Sequence, residues 1–564
     1  MSRRPVRLSP DLLAVGAFVA LAWSVAFGVA ISGFVLALIT GHGIRWHLDG
    51  LIRTVRDGAQ TTYGIPLPVL AIGSVALAGI IAWGLFTVAR RVTRVSDDWR
   101  HDDREKRIAA SPVWAQPKDV PTLIDPDPVS RVVLGELAGQ TVAARREHSV
   151  IVIAPPRSGK TVSVVVPAVL RWEGPAIITS TKRDVFDITV AHRSTIGPVW
   201  VFDPTRVSGR PSAKWSPIPG CDDWIKAEDR ARELVSAARV QNAAEHAAFW
   251  EKQATMFIAP LLQAAALSDR HPSDVYTWVQ LGMEGTDEIQ RILIANDAQH
   301  ALNAFNAALR LPPDTFGSVV ATALTLFECY GSARMEPFTT VAEDDSDVID
   351  WDALLDGRGT LYMLASDVDQ EALRPVFEAM LAALVRRVAD RHMESGQMLD
   401  PRLLLMLDEA AHVASPIRLP EWLNSYSGQG VNIVSVWQDL GQIEEIYGQA
   451  RARAVLSGHP AKVWLGGISD TATLVTVRDL IGDQAVTTTS ESFSRNGETS
   501  ATEATGDLDV ASVSWLRRRP SGTAIGIVGE LKPMQLVARP WFVDEALVAL
   551  VPSDVRDAQA RQAR

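Results

Sequence analysis

The stretch Ser149-Val150-Ile151-Val152-Ile153-Ala154-Pro155-Pro156-Arg157-Ser158-Gly159-Lys160-Thr161 decides how the rest of the chain is read. Val150 to Ile153 have the length and β-branching of a buried strand, and they run straight into a turn-rich segment ending in Gly-Lys-Thr. That is the pattern of a phosphate-binding loop. Such a loop points successive backbone N–H groups at one phosphate chain, extends a lysine to the β and γ phosphates, and holds Mg²⁺ through a hydroxyl. Ala154, Pro155, Pro156, Arg157, Ser158, Gly159, Lys160 and Thr161 are therefore the expected ATP-binding residues, with Lys160 also catalytic and Thr161 also a Mg²⁺ ligand.

Two features sit awkwardly with the pattern. Ala154 stands where such loops usually carry their first glycine, which is tolerable only if that position is not left-handed. Val162 to Val166 are mostly β-branched and Pro167 lacks an N–H, so the helix expected after the loop should bend near Pro167.

The 564 residues are 47% hydrophobic and 21% charged, a balance that suits a large globular protein of two or more domains and excludes a disordered one. Leu12 to Gly41 and Ile65 to Ala89 carry no charge, and each exceeds the roughly 20 residues of helix that cross a hydrocarbon core. Two transmembrane helices, at about 12–40 and 65–89 within an anchor spanning 1–100, are expected. The first run is too long for the apolar segment of a cleavable signal peptide. Arg3, Arg4 and Arg7 before the first run, and Arg90, Arg91, Arg94 and Arg100 after the second, favour both termini in the cytoplasm. Cys221 and Cys329, without zinc-site or disulfide spacing, read as packing residues in a reducing compartment. A net charge of −11 argues against a nucleic-acid coat but not against a motor that grips a polymer with a few residues.

Residues 101–128 are polar and proline-containing and read as a linker. Beyond them, Ala176 to Thr179 and Val199 to Phe202 read as strands alternating with helices, which implies a parallel α/β sheet. From Trp224 to about Pro337 alanine-rich helical periodicity takes over, so an all-α domain, 266–344, is expected inside a nucleotide-binding domain made of 129–265 and 345–550. Phe249-Trp250 reads as core.

After a strand at Thr360 to Leu364 comes Leu403-Leu404-Leu405-Met406-Leu407-Asp408-Glu409. An all-apolar run fits a central strand buried on both faces, and ligands bind where such strands end. Asp408 is the expected Mg²⁺ ligand and Glu409 the group that orients or deprotonates the attacking water. Adjacent acids could also merely open the next helix. The strand Val431 to Trp437 ends at Gln438, placed to sense a γ-phosphate or to satisfy backbone groups. Val486 to Leu508 is rich in Ser, Thr, Glu and Gly and reads as a mobile loop (486–508), Thr523 to Val528 with Gln535 to Ala538 as a hairpin, and 551–564 as a flexible tail.

The phosphate loop, Phe249-Trp250, Leu311 to Tyr330, Leu407-Asp408-Glu409-Ala410, Val436-Trp437-Gln438 and Ala461-Lys462-Val463-Trp464-Leu465-Gly466, following two membrane spans, together resemble the type IV secretion coupling proteins of the TraG family. The resemblance covers nearly the whole chain. It implies a membrane-anchored, RecA-like ATPase with an inserted all-α domain, a hexamer around a channel that passes relaxase-bound single-stranded DNA to a type IV secretion channel in conjugation. Lys160, Thr161, Asp408, Glu409 and Gln438 match the family's nucleotide-site positions. Ser180 stands where many members have an acid, and Ser427-Gly428-Gln429 where relatives often carry a basic residue reaching the neighbouring subunit's nucleotide. Arg418, Arg451 and Arg453 are nearby candidates for that role. Two other readings stay open: an FtsK-like translocase of duplex DNA, and a non-catalytic receptor that docks protein cargo.

Overall fold

The computed structural model describes residues 111–237, 247–342, 344–366, 368–412, 416, 418–493 and 499–562, together with Ile108. The chain divides after Ala109 into two units, and the second, Ala110–Arg564, carries the strands and helices of the fold. The two apolar runs expected to span a membrane lie outside the described residues, among which no helix is long and apolar enough to cross one.

In chain order the strands of the main sheet begin with β1 (Val133–Leu137), β2 (Gln140–Ala143), β3 (Val150–Ile153), β4 (Ala176–Ser180) and β5 (Val199–Phe202). A long helical connection leads to β6 (Thr360–Leu364), β7 (Leu403–Leu407), β8 (Val431–Trp437) and β9 (Ala461–Leu465). A separate ribbon, β10 (Asp483–Phe493) with β11 (Thr499–Asp509), precedes β12 (Thr523–Val528) and β13 (Met534–Val537). The sheet order is β2-β1-β13-β12-β9-β3-β8-β7-β4-β6-β5. From β9 to β5 neighbours pair in parallel, while β12, β13, β1 and β2 continue the sheet antiparallel.

Strand periodicity explains why the middle of the sheet must be apolar throughout. Ile151, Ile153, Leu403, Leu405 and Leu407 enter one buried cluster, and Val150, Val152, Leu404 and Met406 enter another on the opposite face. The first cluster extends into the helices between β5 and β6, through Phe257, Val279 and Phe305. The second takes up Val164, Val165 and Val169, which follow the phosphate loop.

Several expectations are corrected. The linker does not reach 128: Trp114, Val120 and Leu123 are buried in the two main clusters, and the Ala115 N–H donates to Pro533 O at 2.8 Å. Proline-rich composition conceals these apolar anchors. Among the described residues, the elements from Trp224 to Asp356 are all helices, a wider span than 266–344, and they share their core with the sheet. The segment expected to be a mobile loop forms β10 and β11, paired without interruption from Asp483↔Asp509 to Phe493↔Thr499. Its serines and threonines read as loop by polarity, yet a two-stranded ribbon satisfies its backbone by pairing, and β-branched threonine suits it. The tail includes a helix, Ser553–Gln562, preceded by the buried Val551. Val551 packs with Trp541, Leu547, Val166, Leu170 and Ile188, so sparse valines dock a segment that looks polar overall.

Strands β1 and β2 were not among the elements read from the sequence, and Gly135 stands within the first. Its φ is +144°, and an added Cβ would lie 2.8 Å from Val537 O on β13, so glycine permits the close strand approach.

Candidate functional site

The central parallel strands bring the three sequence motifs to one edge. Strand β3 lies between β8 and β9, and β8 pairs with β7 on its other side, so the loops after β3, β7 and β8 open side by side.

In the phosphate loop the positive φ values fall on Arg157 (+62°) and Gly159 (+87°) and not on Ala154, which is why alanine is tolerated at the first position. The Ala154 N–H donates to Trp437 O at 2.8 Å, tying the mouth of the loop to the end of β8. Thr161 opens a single wide turn, Thr161–Val165, in which the Val166 N–H returns to Thr161 O before the α-helix Val166–Leu170 begins. The wide turn is how the chain accommodates Pro167, whose ring would clash with a carbonyl four residues earlier in a regular helix. The expected distortion is therefore present and lies just before the proline.

Beyond β7 the chain turns sharply at Glu409, whose φ is +54°, and the Ala410 N–H donates to Val436 O. A left-handed glutamate is strained by about 1 kcal/mol or more. The turn carries its carboxylate to the phosphate loop: Lys160 Nζ lies 2.6 Å from Glu409 Oε1, with both side chains largely buried. Burial pushes the Glu409 carboxyl up, but hydrogen bonds from Lys160 and Gln438 and the lysine charge outweigh it and hold the carboxyl below the ordinary glutamate value. Gln438 thus joins the site through Glu409.

Asp408 has the opposite character. It is buried, and burial together with the neighbouring Glu409 charge pushes its carboxyl up to about 7, against the pull of Lys160. Ser180 Oγ donates to Oδ2 at a long 3.5 Å, while Oδ1 has no partner. Ser158 Oγ in the phosphate loop is likewise buried without one. Orphaned buried oxygens cost stability, so a carboxylate oxygen and a hydroxyl left unpaired on facing motifs fit a cation with its water shell and a phosphate oxygen.

Of the arginines considered for action between subunits, Arg451 pairs with Glu421 at 2.9 Å within the chain, and Arg418 and Arg453 are exposed. Lys160 and Glu409 take their ion pair from each other, not from any of the three. Cys221 and Cys329 are free and buried, as packing residues should be.

Residues 106–511 match the family model described as type IV secretory system conjugative DNA transfer. The chain belongs to that family. A conjugal transfer protein TraG from Escherichia coli is 24% identical over 412 residues, 66% of this chain and 62% of its own length. The protein VirD4 of Agrobacterium fabrum is 23% identical over 358 residues, 62% of this chain and 51% of its own length. The chain thus spans about half to three-fifths of the curated relatives it matches. Among solved structures, the unbound conjugative coupling protein TrwBdeltaN70 aligns at a TM-score of 0.57 and 16% identity, over 75% of this chain and 92% of its own. TrwB with a non-hydrolysable ATP analogue aligns at 0.55. These two establish the shared α/β fold.

Within this family member, Lys160, Glu409, Gln438 and Asp408 lie together at one edge of the sheet. Sequence reasoning named Ser158 with the rest of its loop but missed the left-handed turn at Glu409 and the Ser180 hydroxyl on Asp408. Only the Ser180 position carried a signal, as a departure from the family's acid.

Proposed function

We propose that this protein is a Mg²⁺-dependent ATPase that drives DNA through a membrane and acts as the substrate receptor coupling a relaxase–DNA complex to a type IV secretion channel during conjugation. The observation that carries the reading is the 2.6 Å contact between Lys160 and Glu409 beside the unpartnered Asp408 oxygen. A lysine from the phosphate loop after β3 and an acid from the end of β7, the parallel strand one beyond β8, are the two groups that phosphoryl transfer from ATP requires beside the γ-phosphate. Family membership and the TrwB complexes with an ATP analogue and with ADP and Mg²⁺ support the choice of nucleotide and ion.

In this reading the backbone of 154–161 cradles the phosphates, and Lys160 leaves Glu409 for the γ-phosphate as ATP enters. Thr161 and Asp408 would hold Mg²⁺, directly or through water, and the bound ion would supply positive charge beside the phosphates. Glu409, freed from the lysine, orients the attacking water, with Gln438 holding its carboxylate in place. A homo-hexamer anchored by the helices at 12–40 and 65–89 in the bacterial plasma membrane, with the motor in the cytoplasm, would place each site at a subunit boundary. An arginine from the neighbour, for which Arg418 and Arg453 remain candidates, would complete it. The all-α span and the β10–β11 ribbon are the proposed cargo-reading surfaces.

Phosphate release by the detergent-purified full chain, without DNA and with single-stranded or duplex DNA, tests the reading. Stimulation by single-stranded DNA, with at least about a hundredfold loss in Lys160→Ala and Glu409→Gln, is the expected result. Duplex preference would favour the FtsK-like mode. Full turnover in Lys160→Ala would overturn the site.

A further inference from the structure

Behind the nucleotide edge, three buried side chains from two elements form a chain of hydrogen bonds with a single direction. His459, which follows the helix Leu440–Gly458, is fully buried, and its Nδ1 lies 2.7 Å from Val455 O. A carbonyl can only accept, so Nδ1 carries the proton and Nε2 is left as an acceptor. Ser435 Oγ lies 3.0 Å from Nε2 and must donate to it, which leaves its own lone pairs for the Trp437 Nε1–H at 2.9 Å. Every member of the chain then has one consistent role. Burial pushes the imidazole down to about 3, with the nearby Lys462 ammonium acting in the same sense, so this arrangement persists across the physiological range. Lys462 Nζ also donates to His459 O at 2.6 Å, pinning the histidine backbone.

The last member of the chain sits where the two halves of the site meet. The Trp437 carbonyl accepts the Ala154 N–H of the phosphate loop, and the next residue is Gln438, whose amide holds Glu409. The indole meets Tyr447 edge-on, with ring centroids 6.1 Å apart, and the Tyr447 hydroxyl donates to Pro416 O beyond the Glu409 turn. Strand ends of this kind are free to twist unless something fixes them. Here the indole N–H is fixed from below and the carbonyl from the side.

We infer that His459, Ser435 and Trp437 are positioning residues for ATP hydrolysis, setting the end of β8 so that Gln438 aligns Glu409 while the phosphate loop keeps its register. The inference rests on the ATPase reading. Misplacement of reacting groups by a fraction of an ångström to an ångström costs about tenfold to a hundredfold in rate, so breaking the chain should appear in kcat. Nucleotide affinity comes mainly from the loop backbone and Lys160 and should hold.

Trp437→Phe removes the indole N–H while keeping a ring against Tyr447, and Ser435→Ala interrupts the chain at its middle. In the full-length protein both are expected to lower kcat about tenfold or more, with the KM for ATP and the affinity for a fluorescent ATP analogue changed by less than about threefold. Ser435→Thr, which keeps the hydroxyl, should restore most of kcat. The sharper test is non-additivity: in a Gln438→Ala background Trp437→Phe should cost nothing further, because both act through Glu409. Wild-type kcat in Trp437→Phe, or losses that add fully to Gln438→Ala, would overturn the inference while leaving the ATPase assignment intact. Undiminished turnover in Lys160→Ala would remove that assignment and the inference with it.

Discussion

Two strands of the sheet end in a fully or nearly fully buried aspartate, β5 in Asp203 and β7 in Asp408, and the two carboxylates lead opposite lives. Asp203 Oδ1 accepts from Val207 N at 2.9 Å and Thr205 Oγ1 at 3.3 Å, and Oδ2 accepts from Ser208 N and Ser208 Oγ, both at 2.6 Å. Its loop folds back over it and supplies the donors that water would have given. Asp408 receives one long side-chain bond, from Ser180, keeps an oxygen without a partner, and shares its neighbourhood with a second carboxylate. A buried acid saturated by its own loop holds that loop together. One left unsaturated stores its binding capacity for something that arrives from outside.

Removing each acid should therefore damage different properties. Asp203→Ala leaves four donors without an acceptor and is expected to destabilise the fold by about 3 kcal/mol or more, read as a lower unfolding temperature. Asp408→Asn should do the reverse: turnover with Mg²⁺ and ATP falls at least about a hundredfold, while the unfolding temperature is unchanged or higher because a desolvated charge is gone. A stable Asp203→Ala, or an Asp408→Asn that hydrolyses ATP normally, would break the contrast.

The pH response sharpens it. The Asp408 carboxyl, raised to about 7 from 3.8, contributes stability that is fully present below 3.8, declines as pH rises from there, and is gone above about 7. Glu409, held below 4.5 chiefly by Lys160 against its burial, contributes in the opposite sense, with stability present above 4.5 and lost as pH falls through its lowered value. In the proposed site Mg²⁺ would bind the Asp408 anion, so Mg²⁺-dependent affinity for nucleotide is expected to weaken about tenfold per pH unit below about 7. A titration by calorimetry from about pH 7.5 to about 5.5 would read this slope, and Asp408→Asn should flatten it.

The smallest effect is expected at Thr205, which joins Asp203 to the next loop by donating to Oδ1 and accepting from the Ser366 N–H at 3.2 Å. Thr205→Val should cost about 1 kcal/mol in thermal unfolding and leave turnover unchanged. A larger loss of turnover than of stability would place the β5 loop inside the site after all.

Much of the fold was legible because its signals are local. The runs Val150–Ile153, Leu403–Leu407 and Val431–Trp437 can only be buried on both faces, and Gly159-Lys160-Thr161 and Asp408-Glu409 stand where those runs stop. The β10–β11 ribbon and the docked C-terminal helix were not legible, since composition reports whether a segment can bury surface but not whether its backbone finds a partner. Gly135, which lets β13 approach β1, shows its role only once the two strands are paired.

By itself the sequence determined the parallel centre, the order of the motifs and which residues are candidates for the proposed nucleotide site, because each depends on residue type and spacing along a few consecutive positions. Only the tertiary structure decided which acid is spent on its own loop and which is left open, that Glu409 reaches Lys160 through a left-handed turn, and that Ser435 and His459 stand behind Gln438. Those are relations between side chains far apart in the chain. Their energies depend on burial and on which donor is within about 3 Å, quantities that exist only once the strands have packed.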